Sequence, residues 1–257
     1  MRSNTAIRSL AIFLACTGLP ASPALAEEEP AANPYRPSVG SPASLSAPGH
    51  FEIEAGFARE TAPDARLDGM PMLLKYAFTE RFGVTFGISP WLRASTPEGT
   101  TSGNGDGTIT LKVAQPVSEA FMVGGELTAS LPVASNGLGL KHSYVTLNLI
   151  ASGDFAGFHG DVNVNSTRLG EAQEPGITRQ VTGWSVGVSH PLSAQFGVGL
   201  EASGLRQSGV FTSTQLLASV SYSVSTKLVL DVYAARARVG DIHIDKFGGG
   251  FTYLFAR

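Results

Sequence analysis

The stretch FGGGFTYLFAR, residues 247–257, carries an aromatic side chain at every second position from Phe251 through Tyr253 to Phe255. Side chains alternate between the two faces of a β-strand, so these three aromatic side chains share one face. Outer-membrane β-barrels carry girdles of aromatic side chains where their strands cross the membrane interfaces. The stretch therefore predicts the last strand of such a barrel, closing against the first strand, with Phe251, Tyr253 and Phe255 as the signal for the barrel assembly machinery.

We expect Phe255→Ala to impair assembly, because Phe255 completes the aromatic pattern of this strand. Deletion of Ala256 and Arg257 should leave assembly intact, since both residues follow the completed pattern. Arg257 is expected only to extend its guanidinium towards the periplasmic headgroups. Heat-modifiable migration in electrophoresis measures the folded fraction of each variant, and equal folded fractions would contradict this prediction.

The first 26 residues match an export signal. Arg2 and Arg8 flank a short polar region, residues 10–19 (LAIFLACTGL) are apolar, and residues 24–26 (ALA) form an A-x-A cleavage site. The apolar run is too short for a spanning helix, which needs about 20 residues. We therefore expect a Sec-type signal peptide over residues 1–26.

Cys16 is the only cysteine in the sequence. Cleavage after Ala26 leaves a mature chain without cysteine, so neither a disulfide nor a thiolate metal site is expected. In the alternative interpretation Cys16 is a lipoprotein acylation site, because residues 14–16 (LAC) loosely resemble a lipobox. The A-x-A site downstream favours cleavage after Ala26.

Residues 27–49 are rich in Pro, Ala, Ser and Glu and lack a periodic apolar pattern. Such a composition buries too little apolar surface to offset the entropy lost on ordering. We predict a short, disordered periplasmic leader here, with a partner-binding arm as the alternative. The sequence leaves open whether this leader enters the barrel as a plug.

Residues 50–257 are predicted to form one all-β domain, a single antiparallel transmembrane β-barrel of about 12 strands. No apolar run approaches 18 residues, which excludes a helical membrane protein. Alternation and turn residues define the strands, and their even number is typical of single-chain outer-membrane barrels. The strands are Phe51–Ala58, Met70–Phe78, Arg81–Trp91, Gly107–Gln115, Ala120–Leu131, His142–Ala151, Gly157–Asn165, Gln180–Ser189, Gln195–Ser203, Thr212–Tyr222, Lys227–Ala235 and Lys246–Phe255.

The predicted connections alternate between short and long. Short turns on the periplasmic side and longer external loops give this asymmetry in outer-membrane barrels, and both termini then lie on the periplasmic side. The short connections are residues 79–80, 116–119, 152–154, 190–193 and 224–226. The long connections are residues 59–68, 92–106, 132–141, 166–179, 204–211 and 236–245.

Along the predicted strands an apolar series on one face alternates with a polar series on the other. A soluble ligand-carrying barrel places apolar side chains inside, so the polar series indicates lipid outside and a polar lumen. The candidate lumen-lining residues with ionisable side chains are Glu52, Glu54, Lys75, Lys112, Glu126, His159, Asp161, Glu201 and Asp231. They line either an acidic pore that favours cations or polar solutes, or a narrow lumen braced and filled by ion pairs.

The sequence gives no sign of nucleic-acid binding or catalysis. Its 18 basic and 21 acidic residues give a net charge of -3, without the basic field that nucleic acid requires. His142 and Ser143 are consecutive and point to opposite faces, which excludes a lipase-type pair. Asp241, His243 and Asp245 share a face and are interpreted as solvated polar residues. We predict no catalytic residue, no metal and no cofactor.

Several short motifs point to a known family. They are LLKY at 73–76, TERF at 79–82, GNGDGTITLK at 103–112, ASLP at 129–132, GWSVG at 183–187 and GFTYLF at 250–255. Over residues 50–257 the chain resembles the MetA-pathway of phenol degradation family of outer-membrane transporters, although Val133 and Ala134 replace the family's Thr-Gly. The resemblance implies uptake or efflux of small aromatic or hydrophobic compounds.

The resulting hypothesis is an outer-membrane channel or transporter for small solutes, with membrane lipid as its surroundings and the solute itself unknown. The alternative hypothesis is a structural barrel with a closed lumen whose external loops, especially 93–106 and 167–179, bind partners.

Overall fold

The computed structural model describes residues 29–140, 142–170 and 177–256. The predicted signal peptide, residues 1–26, and Arg257 lie outside the described residues. Within the described part, no helix is long and apolar enough to cross a bilayer.

Fifteen β-strands make up the described fold. They are β1 (Phe51–Ala62), β2 (Ala65–Gly69), β3 (Met72–Thr79), β4 (Phe82–Ile88), β5 (Leu92–Thr96), β6 (Gly99–Gly103), β7 (Gly107–Ser118), β8 (Phe121–Leu131), β9 (Tyr144–Phe155), β10 (Phe158–Leu169), β11 (Gln180–Pro191), β12 (Phe196–Gln207), β13 (Phe211–Ser225), β14 (Leu228–Val239) and β15 (Ile242–Leu254).

Twelve of these strands form one closed antiparallel barrel. Going around the barrel, β1 is followed by β3, β4 and then β7 to β15 in chain order, and β15 pairs with β1. The closing register runs from Glu52 opposite Leu254 to Thr61 opposite Asp245. The prediction of a twelve-stranded barrel is confirmed, and the stretch at the end of the chain is its closing strand.

The other three strands extend the wall beyond the barrel as an outer sheet, made of β2, β5 and β6. β2 pairs with the far end of β1 and with β5, and β5 pairs with β6. The prediction of loops at 59–68 and 92–106 is therefore wrong. Residues 63–64 (Pro-Asp) and 97–98 (Pro-Glu) are turn signals, but each occupies a two-residue hairpin turn rather than the middle of a long loop.

The predicted loops at 204–211 and 236–245 are also mostly strand. β12 and β13 are joined by residues 208–210, and β14 and β15 by residues 240–241. Gly209 (φ 82°) and Gly240 (φ 58°) adopt the left-handed conformation that these tight turns need. At this end of the barrel, β12 to β15 are therefore longer than the apolar alternation in their sequences predicts.

The opposite end of the barrel has five short turns, which we call the turn end. These turns are residues 80–81, 119–120, 156–157, 192–195 and 226–227. The predicted turn at 152–154 is wrong, because that segment continues β9 and the chain reverses at Ala156 and Gly157, with φ of 50° and 82°. The sequence did not indicate this turn, because alanine rarely adopts the left-handed conformation that Ala156 has here.

The outer face of the barrel is apolar and the inner face is polar. Leu149, Leu200 and Val232 keep 60%, 63% and 60% of their surface exposed, whereas Lys75 and Lys112 are buried inside. A protein surrounded by water would show the reverse. The outer face therefore contacts lipid.

Aromatic side chains border this apolar face near the turn end. Phe51, Tyr76, Phe78 and Phe82 form a continuous row with ring centroids 4.7, 5.0 and 5.5 Å apart. Tyr253 and Phe255 lie 5.0 Å apart, and Phe196 and Tyr222 lie 4.8 Å apart. This arrangement is the aromatic girdle expected at a membrane interface.

Asp68 holds the outer sheet together next to the barrel wall. Its carboxylate lies 2.5 Å from Arg59 Nε and 2.7 Å from Arg66 Nη2. The hydrogen bonds from Arg66 and then from Arg59 lower the pKa of Asp68 below its usual value. Because the folded-state pKa is lowered, ionised Asp68 stabilises the sheet above the unfolded-state pKa of about 3.9, and this stabilisation is lost as the pH falls through the lowered pKa.

We therefore expect the amides of β2 and β5 to exchange hydrogen faster below about pH 3.9 than at neutral pH, after correction for intrinsic exchange rates. Asp68→Asn should give fast exchange at both pH values, because it removes the carboxylate. Equal protection of the two strands in the unaltered protein across this pH range would contradict the prediction.

Candidate functional site in the lumen

Residues 29–49, which we call the inner segment, lie inside the barrel. Near its start, Ala32 N donates to Thr226 O (2.8 Å), and at its end Gly49 N donates to Ala77 O (2.8 Å). Thr226 lies in the turn between β13 and β14, and Ala77 lies near the end of β3 at the same side of the barrel. The segment therefore enters at the turn end, folds back within the lumen and returns to begin β1. Between these points Tyr35, Ala43 and Ser46 are buried.

The position of the inner segment corrects the prediction of a disordered leader for residues 29–49. The segment itself buries little apolar surface, as its composition predicts. The barrel interior instead supplies hydrogen-bond partners from residues distant in sequence, which satisfy the main chain of this polar, Pro-rich segment.

Two buried lysines hold the centre of the inner segment. Lys75 Nζ pairs with Glu52, lies 2.5 Å from Glu54 Oε1 and donates to Asn33 O at 2.6 Å. Lys112 Nζ lies 3.0 Å from Glu126 Oε1 and donates to Pro42 O at 2.6 Å. These lysines therefore bind barrel carboxylates and main-chain carbonyls of the segment at the same time.

The Tyr35 ring lies between the two lysines. Lys75 Nζ is 3.9 Å and Lys112 Nζ is 4.0 Å from the ring centroid, and the Tyr35 hydroxyl donates to Ser44 O at 3.0 Å. Cation–π attraction is strongest where water is excluded, as it is here. Tyr35 is thus the side chain that fixes the inner segment at the centre of the lumen.

Carboxylates of the barrel accept hydrogen bonds from the main chain of the segment. Glu52 accepts from Asn33 N (2.9 Å), and Glu54 accepts from Tyr35 N (2.7 Å) and Arg36 N (3.0 Å). Across the lumen, Glu201 accepts from the next pair of amides, Val39 N (3.1 Å) and Gly40 N (3.0 Å).

Polar side chains of β9 and β10 bind the rest of the segment. The Asn163 side chain accepts from Ser41 N (3.1 Å) and donates to Ser41 O (3.0 Å), and Ser152 Oγ accepts from Ala43 N (2.7 Å). Asn148 Nδ2 links this group to the lysine centre by donating to Asn163 (2.8 Å) and Glu126 (3.0 Å).

Arg36 binds the closing seam of the barrel. Its Nε lies 3.2 Å from Asp231 Oδ2, and its guanidinium covers two glycines that face each other across the seam. A Cβ added to Gly56 or Gly250 would lie 2.5 or 2.7 Å from Arg36 Nη2. The glycine run of the closing strand therefore provides space for this side chain.

His159 and Asp161 lie near the turn end and bind each other rather than the segment. His159 Nδ1 is 2.7 Å from Asp154 and Nε2 is 3.4 Å from Asp161, and Ser152 Oγ donates to Asp161 at 2.5 Å. Six of the nine ionisable residues predicted to line the lumen bind the inner segment directly: Glu52, Glu54, Lys75, Lys112, Glu201 and Asp231. Glu126 and Asp161 bind Lys112 and Ser152, which contact the segment, and His159 binds Asp161.

Sequence reasoning did not single out Tyr35, Arg36, Asn148, Ser152 or Asn163 as site residues. The only available signal for the first two was an aromatic residue and an arginine, adjacent to each other, within a stretch of Pro, Ala and Ser. For Asn148 and Asn163 it was their position on the polar face of the predicted strands, whereas Ser152 fell in the predicted turn at 152–154.

A cavity of about 530 Å³ remains beside the inner segment, towards the turn end. The segment forms one wall of this cavity and strands β10 to β14 form the other. Polar side chains line it, including Arg36, Asp161, Glu201, Ser219 and Asp231. The segment and its partners on opposite walls thus occupy the lumen and leave a polar space beside them.

A closed twelve-stranded antiparallel barrel with an apolar outer face, an aromatic girdle and a polar lumen is an outer-membrane β-barrel. No family model and no curated protein matches the sequence. Solved structures do resemble it. The COG4313 outer membrane channel from Pseudomonas putida F1 has a TM-score of 0.71 and 14% identity, with 85% of this chain and all of that chain covered.

Two further structures share the fold. The KdgM porin, solved in complex with disordered oligogalacturonate, has a TM-score of 0.57 and 10% identity, with 79% of this chain and 99% of the porin covered. The CymD monoaromatic hydrocarbon channel has a TM-score of 0.50 and 11% identity, with 82% and 89% covered. These likenesses place the chain among barrels of the outer membrane by fold.

Proposed function

We propose that the protein is an outer-membrane channel for small solutes, which conducts when the inner segment leaves the lumen. The observation that carries this proposal is the polar character of the contacts that hold the segment. When it leaves, water replaces each partner, and a hydrogen bond contributes only about 0.5–1.5 kcal/mol net, more where a charged group takes part. A lumen filled by apolar packing would not exchange its contents for water in this way.

The lumen favours small polar solutes and cations. Without the inner segment, six carboxylates (Glu52, Glu54, Glu126, Asp161, Glu201 and Asp231) would face Lys75, Lys112 and His159. An excess of acidic groups around a pore favours cations. Among the proteins of similar fold, one was solved in complex with an oligogalacturonate and another is a monoaromatic hydrocarbon channel. The family resemblance implies aromatic or hydrophobic solutes as the alternative class.

A reversible lock tests the channel proposal. A Cβ at Gly124 would lie 3.2 Å from Ala43 Cα, close enough for a disulfide between Ala43→Cys and Gly124→Cys. We expect this variant, prepared without residues 1–26 and therefore without Cys16, to give conductance steps in planar bilayers when reduced and none when oxidised. The reversal potential in a salt gradient should indicate cation preference.

Two outcomes would contradict the proposal. Equal conductance of the oxidised and reduced forms would place the conducting path away from the inner segment. Silence of the reduced form, together with no swelling of liposomes in graded solutes, would favour the alternative of a structural barrel with partner-binding external loops.

A further inference from the structure

The barrel binds the inner segment mainly through main-chain atoms. Seven main-chain N–H groups of the segment donate to barrel side chains, those of residues 33, 35, 36, 39, 40, 41 and 43. Carbonyls of Asn33, Ser41 and Pro42 accept from Lys75, Asn163 and Lys112. Main-chain groups are common to every peptide, so these contacts do not depend on side-chain identity.

The geometry of these contacts is that of peptide recognition. Glu54 and Glu201 each bridge two adjacent amides, which is how an anion binds consecutive main-chain N–H groups. The Asn163 side chain binds both the N–H and the carbonyl of Ser41, as a neighbouring β-strand would do. The excess of carboxylates in the lumen thus provides the hydrogen-bond acceptors that main-chain amides of a peptide need.

Side chains of the segment restrict the ligand at three positions. At position 35 the two lysines select an aromatic ring that fits between them, and at position 36 Asp231 selects a guanidinium. Position 40 disfavours a side chain, because a Cβ there would collide with Ser185 Oγ and lie 2.7 Å from Asn163 Nδ2, the atom that donates to Ser41 O. Val39, by contrast, is 59% exposed and accepts other side chains.

We infer that the lumen is a binding site for extended peptides, specific for an aromatic residue followed by arginine and, after three further residues, glycine. The inner segment occupies this site in cis, and a peptide of the same chemistry can occupy it in trans. This inference goes beyond the channel function and does not require conduction.

The test uses the full chain with a protease recognition sequence inserted between Pro48 and Gly49, where Pro48 is exposed. Cleavage of the folded protein in detergent converts the inner segment into a separate peptide. Exchange with a fluorescently labelled peptide of residues 29–49 is then followed by anisotropy and by mass spectrometry after gel filtration. We expect the labelled peptide to bind and to be displaced by its unlabelled form.

Three competing peptides separate main-chain recognition from other causes. N-methylation at Tyr35, Arg36 and Gly40 should weaken competition at least about a hundredfold, because each of these amides donates to a carboxylate and such bonds contribute about 1.5–3 kcal/mol. N-methylation at Ser38, an amide outside this set, is the matched control and should weaken it less than about tenfold. Alanine at positions 39 and 41 should leave competition unchanged.

Equal competition by the two N-methylated peptides, or strong weakening by the alanine changes, would overturn the inference. If the cleaved segment does not exchange, the cleaved protein is unfolded and its barrel is refolded with an excess of each labelled peptide, and retention through gel filtration is measured. Failure of that barrel to retain the unmodified peptide also overturns the inference. Retention without conductance in bilayers would contradict the channel proposal alone.

Discussion

Lys75→Met is expected to raise the ratio of open to closed channels by about a hundredfold or more. In the closed state the change leaves Glu52 and Glu54 buried without their cation and removes the donor to Asn33 O. Breaking a buried ion pair from one side costs about 3–5 kcal/mol, and each 1.4 kcal/mol is a factor of about ten. In the open state water solvates both carboxylates, so the cost falls on the closed state. Single-channel recordings in planar bilayers measure this ratio.

Lys227→Met provides the matched control, since Lys227 also links the barrel to the inner segment through a carboxylate. Its Nζ lies 3.0 Å from Glu29 Oε1, but the Lys227 side chain keeps 32% and the Glu29 side chain 64% of its surface exposed, so water reaches this pair. An exposed pair contributes about 0–1 kcal/mol, so the ratio should change less than about tenfold. Glu52→Gln and Glu54→Gln added to Lys75→Met should restore much of the closure, because the amide oxygens still accept hydrogen bonds and no buried charge remains. Equal effects of Lys75→Met and Lys227→Met would contradict this account.

The barrel could be predicted from the sequence because its determinants are periodic and local. Alternation along each strand separates lipid-facing from lumen-facing side chains. Lys75, Glu126 and Asp231, which it assigns to the inner face, pair with Glu54, Lys112 and Arg36. The outer sheet escaped prediction because its three strands are only five residues long and β6 carries Gly, Thr and Ser on both faces. Pairing of β2 with β1, of β5 with β2 and of β6 with β5 defines these strands.

The content of the lumen could not be predicted because its determinants are distant in sequence. Val39 N and its acceptor Glu201 are 162 residues apart, and Arg36 and Asp231 are 195 residues apart. Sequence reasoning recognised the acidic excess and offered a pore lining or bracing ion pairs. In the structure Lys75 and Lys112 pair with some of these carboxylates, whereas Glu201 binds amides of the inner segment, a partner that neither interpretation contained.

Val232→Arg is expected to reduce the free energy of unfolding by about 2–4 kcal/mol, the cost of a cation at the middle of the lipid-facing band of a barrel. Val232 lies between Leu230 and Ala234 in the outward-facing row of β14, and is opposite Gly249 on one side and Val220 on the other. From this depth the guanidinium must either remain in hydrocarbon or draw water and headgroups inward.

Val210→Arg is the matched control, because Val210 is exposed to a similar extent, 53% against 60%, but lies in the turn between β12 and β13. A surface substitution in water usually changes the free energy of unfolding by less than about 0.5 kcal/mol. Reversible urea unfolding in lipid vesicles, followed by tryptophan fluorescence, measures both values. Equal losses at the two positions would show that Val232 does not face hydrocarbon. A decrease in the free energy of unfolding for Val232→Arg alone would show that the membrane covers the outward-facing row of β14, which is paired with the closing strand β15.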